Sequence, residues 1–321
     1  MRSVNAPPPP APKPDPQPAF VRTDNTPRGI VMMLASVMLF SVMNVLIKLS
    51  AERYPVLEVT FFRNAVALVP VALVVAMQGG FATLRTERPG AHLWRACIGL
   101  TSMTLMFWSF HLLPLADAVA LNFTAPLFLT ALSVPLLGER VGVHRWSAVA
   151  VGFVGVLVMS RPGSGMLQFG ALVAIGAAFA QSLAMVQIRQ LSRTELPNTI
   201  VFWFTLTSTV LCGIGLPFVW VAPTTWTDIG LLVACGLTGG MAQLFLTRAY
   251  ALTPAAVIAP FSYASILCAA LFGWLLWGEV PQMQTIAGVA IVVASGLYIL
   301  HRETRRNVAV VRSARAPEAA D

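Results

Sequence analysis

The chain has 321 residues, of which 57% are hydrophobic and only 11% are charged, and its formal net charge at pH 7 is +8. Soluble proteins carry about 25% charged residues, so this chain has too few charges to cover the surface of a water-soluble globule of its length. The composition therefore predicts an integral membrane protein and excludes a soluble globular domain.

The chain begins with a proline-rich segment, residues 1–26, whose first twenty residues read MRSVNAPPPPAPKPDPQPAF. This segment lacks the apolar core of a cleavable signal peptide. A composition so rich in proline favours a disordered or semi-extended chain over a folded domain. We therefore predict a solvated tail before the first membrane span.

Ten apolar runs follow, and runs of about 18 or more such residues are typical of membrane spans. The fifth and tenth runs are short, which leaves a count of eight or nine spans as the alternative. Backbone polar groups in hydrocarbon must be satisfied within their own segment, so the spans are predicted to be helices. The predicted spans are 29–49, 56–77, 96–113, 116–137, 146–160, 169–188, 199–221, 229–247, 255–277 and 285–300.

Basic residues are distributed unequally between the two sides of the predicted membrane protein. If the N-terminus is cytoplasmic, the outer segments hold only Lys48, Arg53 and Arg161, and nearly all other basic residues fall in cytoplasmic segments. This asymmetry is the positive-inside pattern, and it predicts that both termini are cytoplasmic. It accounts for the net charge without a nucleic-acid partner, and it places the basic tail, residues 303–321, beside anionic membrane lipid.

The chain contains an internal repeat. When it is offset by 140 residues, 111–161 falls on 251–301 without a gap, and the Gly-Glu pairs at 138–139 and 278–279 coincide. At an offset of 141, the stretch SVMNVLIK of the first span falls on SLAMVQIR of the sixth span. Glycine, proline and glutamate in register are more informative than shared apolar residues, which any two membrane spans have in common. We therefore interpret the chain as two related halves.

The halves comprise five spans each, residues 27–161 and 169–302. Because five is odd, the second half enters the membrane from the opposite side, and the two halves are inverted. Inverted repeats are characteristic of secondary transporters, whose substrate site lies near the membrane midplane between the repeats. In this topology Glu139 lies at the cytoplasmic face and Glu279 at the outer face. We interpret them as matching helix ends, since they cannot meet to form a catalytic or metal site.

Two stretches that include the fourth and ninth spans carry a family resemblance, AVALNFTAPLFLTALSVPLLGE and RAYALTPAAVIAPFSYASILCAALFGWLLWGE. Over residues 27–302 the chain resembles the drug/metabolite transporter superfamily and, within it, the EamA-like permeases. The resemblance implies an all-α integral membrane protein of ten transmembrane helices, with a central cavity and alternating access. It also implies a small-molecule substrate, with riboflavin, S-adenosylmethionine and amino-acid-like metabolites as candidates.

Two stripes of residues at four-residue spacing mark candidate cavity faces on the first and sixth spans. Polar side chains inside a span usually face the bundle interior or a water-filled cavity. We therefore predict that Phe40, Asn44 and Gln181 line a cavity, the alternative being that the polar residues of the stripes only bridge helices. Lys48 and Arg189 end the two stripes and are predicted to extend to the membrane interface.

Two arginines are further candidates. Arg63 lies about 10 Å inside the second span by the helical rise, too deep to reach the interface easily. It either contacts an anionic or polar group of the substrate, or it holds a structural ion pair or helix-end carbonyls. Arg248, at the predicted cytoplasmic end of the eighth span, either gates the inner mouth or only follows the positive-inside pattern.

Pro126 and Pro260 fall inside the fourth and ninth spans, where proline removes a backbone hydrogen bond and permits a broken helix. Broken helices often flank transporter sites. The neighbouring polar and aromatic side chains are therefore candidate ligand contacts, and the alternative is a kink that only serves packing. These candidates, together with a glutamine of the eighth span, are Asn122, Ser262, Tyr263 and Gln243.

We expect a multi-pass carrier of the inner (plasma) membrane that moves a small polar or aromatic-containing metabolite by alternating access. The sequence has no P-loop for ATP-driven transport and no nucleophile–base or metal-ligand cluster, so no enzyme activity, metal or cofactor is predicted. The four cysteines fall in apolar spans and are interpreted as core residues. The alternatives are a membrane enzyme or lipid-flipping protein that uses the same cavity, and a non-transporting membrane partner or regulator.

Overall fold

A computed structural model describes residues 25–315 except 78–79, 140, 164, 193 and 254. Throughout that part of the chain, the backbone forms helices joined by short connections. The α-helices, numbered in chain order, are α1 Thr26–Ala51, α2 Val56–Met77, α3 Pro89–Leu112, α4 Leu115–Asn122, α5 Ala125–Leu137, α6 Val143–Ser160, α7 Met166–Leu191, α8 Pro197–Gly215, α9 Trp226–Leu252, α10 Ala255–Ser262, α11 Ala264–Trp277 and α12 Met283–Arg315.

Nine segments of the described chain are long and apolar enough to cross a membrane, counting α4 with α5 and α10 with α11 as one segment each. They correspond to nine of the ten predicted spans. The remaining predicted span is α3, whose 24 residues rise about 36 Å and are long enough to cross a bilayer core. Polar residues such as Arg95 and His111 lower its hydropathy. The all-helical, multi-span fold class is confirmed. Among the ten spans, α3 is the one that is not included with the nine most apolar segments.

The packing of the helices repeats between the two halves. α1 packs along α9, and in the equivalent arrangement α7 packs along α3. Two hydrogen bonds mark the equivalence, since Ser36 Oγ donates to the Ala242 carbonyl at 2.9 Å and Ser102 Oγ donates to the Ala177 carbonyl at 2.9 Å. Ser36 of α1 and Ala177 of α7 differ by 141 in residue number, and Ser102 of α3 and Ala242 of α9 differ by 140. Each bond therefore joins the same two positions of the inverted repeat.

The fourth and ninth spans are broken at equivalent places. α4 and α5 are separated at residues 123–124, and α10 and α11 are separated at Tyr263. Pro126 lies in the first turn of α5. The first N–H groups of a helix have no intrahelical partner, so the missing N–H of proline removes no hydrogen bond within α5. Pro260 lies inside α10, one turn before its break. Both predicted proline breaks are present.

The two Gly-Glu pairs end α5 and α11 with the same backbone geometry. Gly138 and Gly278 have φ values of 67° and 66°, in the left-handed region that favours glycine. The N–H of the next residue donates to the carbonyl six residues earlier, at 3.2 Å for Glu139 and 3.1 Å for Glu279. Both helices therefore end at a left-handed glycine directly after the last helical residue. The interpretation of the repeated pair as two matching helix ends is confirmed.

The bundle has two ends, which we name after the basic residue that each carries. At the Lys48 end, Lys48 Nζ donates to the carbonyl of Leu113 at 3.3 Å, just before α4 begins. α7 also begins near this end, because Arg161 on the connection before it donates to Asp117 of α4 at 3.3 Å. The 26 residues of α7 rise about 39 Å, so Arg189 lies at the opposite end, the Arg189 end. The predicted topology makes the Lys48 end the outer one.

The chain termini differ in how far the structure describes them. The backbone of α12 continues to Arg315, so most of the predicted basic tail, 303–321, prolongs the last helix. The predicted proline-rich tail, 1–26, lies almost wholly outside the described residues, which begin at Asn25.

Small residues let α6 pack closely on α12. A Cβ placed at Gly155 would lie 2.9 Å from the Gly288 carbonyl oxygen and 3.0 Å from Ile291 Cβ, which is closer than packed atoms approach. Replacing Gly155 by valine is therefore expected to cost about 1–3 kcal/mol of stability, and thermal unfolding in detergent measures the loss. Val154→Leu, on the exposed side of α6, is the control. Equal melting temperatures for the two variants would contradict this packing.

Candidate functional site

A cavity of about 460 Å³ lies between the two halves of the bundle, within the size range of small-molecule sites. Its walls come from α1, α2, α3, α7, α8 and α9, and from the broken fourth and ninth spans. Among the described residues that line it, none is acidic. The polar lining residues are Ser36, Asn44, Arg63, Arg95, Ser102, Asn122, Gln181, Gln243, Tyr250, Ser262 and Ser265.

Seven of the nine side chains predicted to contact a substrate line this cavity, namely Phe40, Asn44, Arg63, Asn122, Gln181, Gln243 and Ser262. Tyr263 lines an adjoining space instead. Arg248 departs from the prediction, because its side chain is exposed and lies outside the lining described for the cavity. Residues seven apart share a helix face, so α9 directs Gln243 and Tyr250 to the cavity and turns Arg248 away. A substrate-binding role for these residues stays a prediction.

Arg63 is enclosed between α2 and α9. Its Nη1 donates to Asn64 Oδ1 at 3.1 Å, and Asn64 Nδ2 in turn donates to the Thr60 carbonyl at 2.8 Å. Gly239 leaves room for the guanidinium, since a Cβ there would lie 3.2 Å from Arg63 Nε. That Nε is buried and has no hydrogen-bond partner among the described residues. In the part of the chain that the structure describes, Arg63 has no acidic partner, so the alternative of a structural ion pair is not supported there.

Arg95 is a cavity residue that the sequence interpretation missed by assigning it to a cytoplasmic loop. α3 begins at Pro89, so Arg95 lies nearly two turns inside the helix. Its Cζ lies 4.2 Å from the centroid of the Phe204 ring. Its Nε and Nη1 are buried without a hydrogen-bond partner among described residues. The sequence did contain a signal that Arg95 faces the cavity. Ser102 follows it by seven residues and so shares its helix face.

The two arginines line the same two spaces. Arg63 and Arg95 both line the central cavity and also a side chamber of about 200 Å³ beside it. Phe204 and Gln243 line the same two spaces. The cavity is therefore strongly basic on the side formed by α2 and α3, and its remaining polar lining is neutral.

An aromatic pair lies where the two broken spans meet. The rings of Phe123 and Tyr263 have centroids 4.8 Å apart and planes inclined by 34°. Their residue numbers differ by 140, so the pair joins equivalent positions of the two halves. Phe123 lines both the central cavity and the adjoining space, so this ring pair borders the path between them.

The adjoining space, of about 230 Å³, leads from the cavity towards the Arg189 end. It shares Phe123, Tyr250 and Ser262 with the central cavity and reaches Glu139 and Arg189. Arg189 Nη1 lies 3.3 Å from Glu139 Oε1, and the two side chains are 41% and 39% exposed. The Arg189 end is therefore the more open end of the bundle.

A buried ion pair closes the Lys48 end. Lys48 pairs with Glu279, and the two side chains are only 10% and 22% exposed. Glu279 Oε2 also accepts a hydrogen bond from the Leu115 N–H at 2.8 Å, and Lys48 Nζ lies 4.8 Å from the centroid of the Trp277 ring. The prediction that Lys48 extends to the membrane interface is wrong, because Glu279 supplies a counter-charge that keeps the ammonium group inside the bundle.

Glu58, an acidic residue in the first turn of α2, does not line the cavity. It is fully buried, and its Oε2 accepts a hydrogen bond from the Val221 N–H at 3.0 Å. This contact fastens the start of α2 to the connection before α9, so the position of Glu58 favours a structural role.

Comparisons with known proteins agree with this architecture. The EamA-like transporter family matches the chain twice, over residues 27–161 and 168–300. The pseudopaline exporter CntI of Pseudomonas aeruginosa is 33% identical over 271 residues, covering 83% of this chain and 94% of the relative. A riboflavin transporter of Vibrio cholerae is 30% identical over 284 residues, covering 87% and 95%. An S-adenosylmethionine uptake transporter of Rickettsia prowazekii is 26% identical over 281 residues, covering 86% and 94%.

A solved crystal structure with 21% sequence identity has the same fold, with a TM-score of 0.60 over 88% of this chain and all of the other. The relatives are named as transporters of small metabolites rather than as enzymes. With the double family match, the broken helices and the cavity between inverted halves, these likenesses show that the chain belongs to the EamA-like transporter family and is a multi-pass membrane transporter of a small metabolite.

Proposed function

We propose that this transporter is a secondary carrier of the inner membrane whose substrate bears a carboxylate or another anionic group. The observation that carries the proposal is the pair of cavity arginines, since Nε of Arg63 and both Nε and Nη1 of Arg95 are buried without partners among the described residues. An unpaired charged donor in a low-dielectric site is costly. The guanidinium fork matches the two oxygens of a carboxylate, so an anionic substrate would satisfy both arginines at once.

The rest of the lining favours a substrate that also has neutral polar and planar parts. Asn44, Gln181 and Gln243 offer amide donors and acceptors, and Phe40 and Phe107 offer aromatic surface. Riboflavin, S-adenosylmethionine and pseudopaline, which the relatives are named for, are the first compounds to test on this chain. In this proposal the aromatic pair at the helix breaks contacts the planar part of the substrate.

The cavity supports a carrier over a membrane enzyme. Its described lining contains no cysteine, histidine or acidic residue, and a hydrolytic site needs a nucleophile beside a base. A phospholipid flipping protein is also less well supported, since a cavity of about 460 Å³ suits a small metabolite. A purely regulatory role does not explain why Arg63 and Arg95 place buried nitrogens without partners beside the cavity.

Transport of matched substrate pairs into proteoliposomes tests the proposal. Each radiolabelled metabolite that bears a carboxylate is compared with its carboxamide analogue, which has the same shape but lacks the charge, with and without a pH gradient. Riboflavin, which has no carboxylate, is the neutral comparison. We expect the carboxylate form to be transported about tenfold faster or more, since a charged hydrogen bond contributes about 1.5–3 kcal/mol. Equal rates for acid and amide across the panel would contradict an anionic substrate.

Two controls accompany this experiment. Protein-free liposomes give the leak of each compound. A chain without residues 1–26 and 303–321 is expected to transport at the rate of the full chain, because both segments lie outside the described cavity lining. Loss of transport on truncation would favour a function that depends on the tails.

A further inference from the structure

Each repeated Gly-Glu glutamate pairs with the basic residue near the end of the first span of the other half. Glu279 pairs with Lys48, and Glu139 pairs with Arg189 at 3.3 Å. The glutamates occupy equivalent positions of the repeat, and so do the two basic residues. The inverted fold therefore makes one contact twice, once at each end of the bundle, and each copy joins the two halves.

The two copies differ in their surroundings. Lys48 and Glu279 are buried, and each has a second partner at the start of α4, the Leu113 carbonyl and the Leu115 N–H. Arg189 and Glu139 are each about 40% exposed. Both ion pairs are present, but the Lys48–Glu279 pair is the enclosed one and the Arg189–Glu139 pair is the exposed one.

The two ends of the bundle differ in how open they are, in the same way as the two ion pairs differ in exposure. The space that leads out of the central cavity is lined by Glu139 and Arg189. At the other end, the buried pair of Lys48 and Glu279 joins α1 to the end of α11. The end with the enclosed pair is the closed end, and the end with the exposed pair is the open one.

We propose that the two ion pairs are alternating latches, so that Lys48–Glu279 holds one end closed in this state and Arg189–Glu139 closes the other end in the opposite state. The proposal rests on the alternating-access carrier proposed above. Because both pairs join the two halves, rocking one half against the other encloses one pair as it exposes the other. A buried ion pair is costly to break and a solvated one contributes little, so each latch stabilises only its closed state.

The repeat also predicts the second partners of the Arg189–Glu139 latch. The positions 140 residues after Leu113 and Leu115 are Thr253 and Ala255. In the opposite state, Arg189 is expected to donate to the Thr253 carbonyl and Glu139 to accept from the Ala255 N–H. The start of α10 then closes against the end of α5 as the start of α4 now closes against the end of α11.

Cysteine labelling in right-side-out and inside-out vesicles tests the latches. The native cysteines are replaced by alanine, a single cysteine replaces Met106 of the cavity lining, and a membrane-impermeant maleimide is applied from each face. Glu279→Gln is expected to raise labelling from the Lys48 end about tenfold or more and to lower it from the Arg189 end. Glu139→Gln is expected to lower labelling from the Lys48 end.

Three further variants make the result decisive. Glu87→Gln removes an exposed carboxylate and is expected to change nothing. The charge exchange Lys48→Glu with Glu279→Lys is expected to restore the parental pattern only in part, because it rebuilds the pair but places each charge against the wrong backbone group of Leu113 and Leu115. If Glu279→Gln does not fold because Lys48 loses its counter-charge, the double variant Lys48→Met with Glu279→Gln removes both charges and carries the same prediction.

The proposal is overturned if Glu279→Gln, or the double variant in its place, leaves labelling unchanged, or if the Glu279 and Glu139 variants shift it in the same direction. Labelling requires no substrate, so a failed anion-transport experiment and a failed latch experiment are distinguishable.

Discussion

Replacing Arg95 or Arg63 by alanine is expected to lower transport of the anionic substrate by about 10- to 100-fold. Each substitution removes charged hydrogen bonds worth about 1.5–3 kcal/mol, and about 1.4 kcal/mol corresponds to a factor of ten in rate. Lysine at either position keeps the charge but loses the planar fork, so its effect is expected to be intermediate. Initial rates in proteoliposomes, normalised to the amount of reconstituted protein, measure the loss.

Thermal stability separates this substrate role from the structural alternative for Arg63. Each alanine variant removes buried guanidinium nitrogens that have no partner among the described residues and so relieves a desolvation cost. These variants are therefore expected to unfold at the parental temperature or above it. If Arg63 instead held the fold together, Arg63→Ala would unfold at a lower temperature. Arg248→Ala is the matched control, because that arginine is exposed and outside the cavity lining, and it is expected to retain full transport.

Replacing Tyr263 by alanine is expected to lower transport about tenfold or more. The substitution removes the ring that packs on Phe123 at 4.8 Å, where the central cavity meets the space leading out of it. Aromatic pairs contribute about 0.5–1.5 kcal/mol beyond the area they bury, and the lost contact area adds to this. Tyr263→Phe keeps the ring and is expected to retain most of the activity.

Rates at saturating and limiting substrate, measured on both Tyr263 variants, check this expectation. Tyr298→Ala removes an exposed tyrosine of α12 and serves as the control for loss of an aromatic ring. Parental transport by Tyr263→Ala would place the ring pair outside the substrate path.

Much of the fold was predictable because membrane helices have a local signature. Composition and apolar runs predicted the spans, and the helix ends at 138–139 and 278–279 predicted the register of the two halves. The prolines at 126 and 260 predicted the breaks. These features depend on residues close together in the chain, since a span, a helix end and a proline break each arise from a few neighbouring residues.

The candidate site was only partly predictable, and its charged residues show why. Asn44 and Gln181 were found by their spacing, because a helical stripe is a local pattern. Arg95 was missed because the start of α3 lies earlier than its apolar run. Arg248 was misplaced because the rotation of α9 depends on how it packs against α1 and α2. For Arg248, the side-chain direction is set by the neighbouring helices and not by the residues beside it.

The repeated Gly-Glu pair shows most clearly where the sequence stops and the tertiary structure begins. The role of both glutamates as helix ends in an inverted repeat was predictable from neighbouring residues, since glycine at a left-handed position terminates a helix wherever it lies. The contacts of Glu279 with Lys48 and of Glu139 with Arg189 became visible only in the folded bundle. These partners are 231 and 50 residues apart in the chain, and no local pattern relates them. They meet because two inverted halves pack against each other and place opposite charges at each end of the bundle.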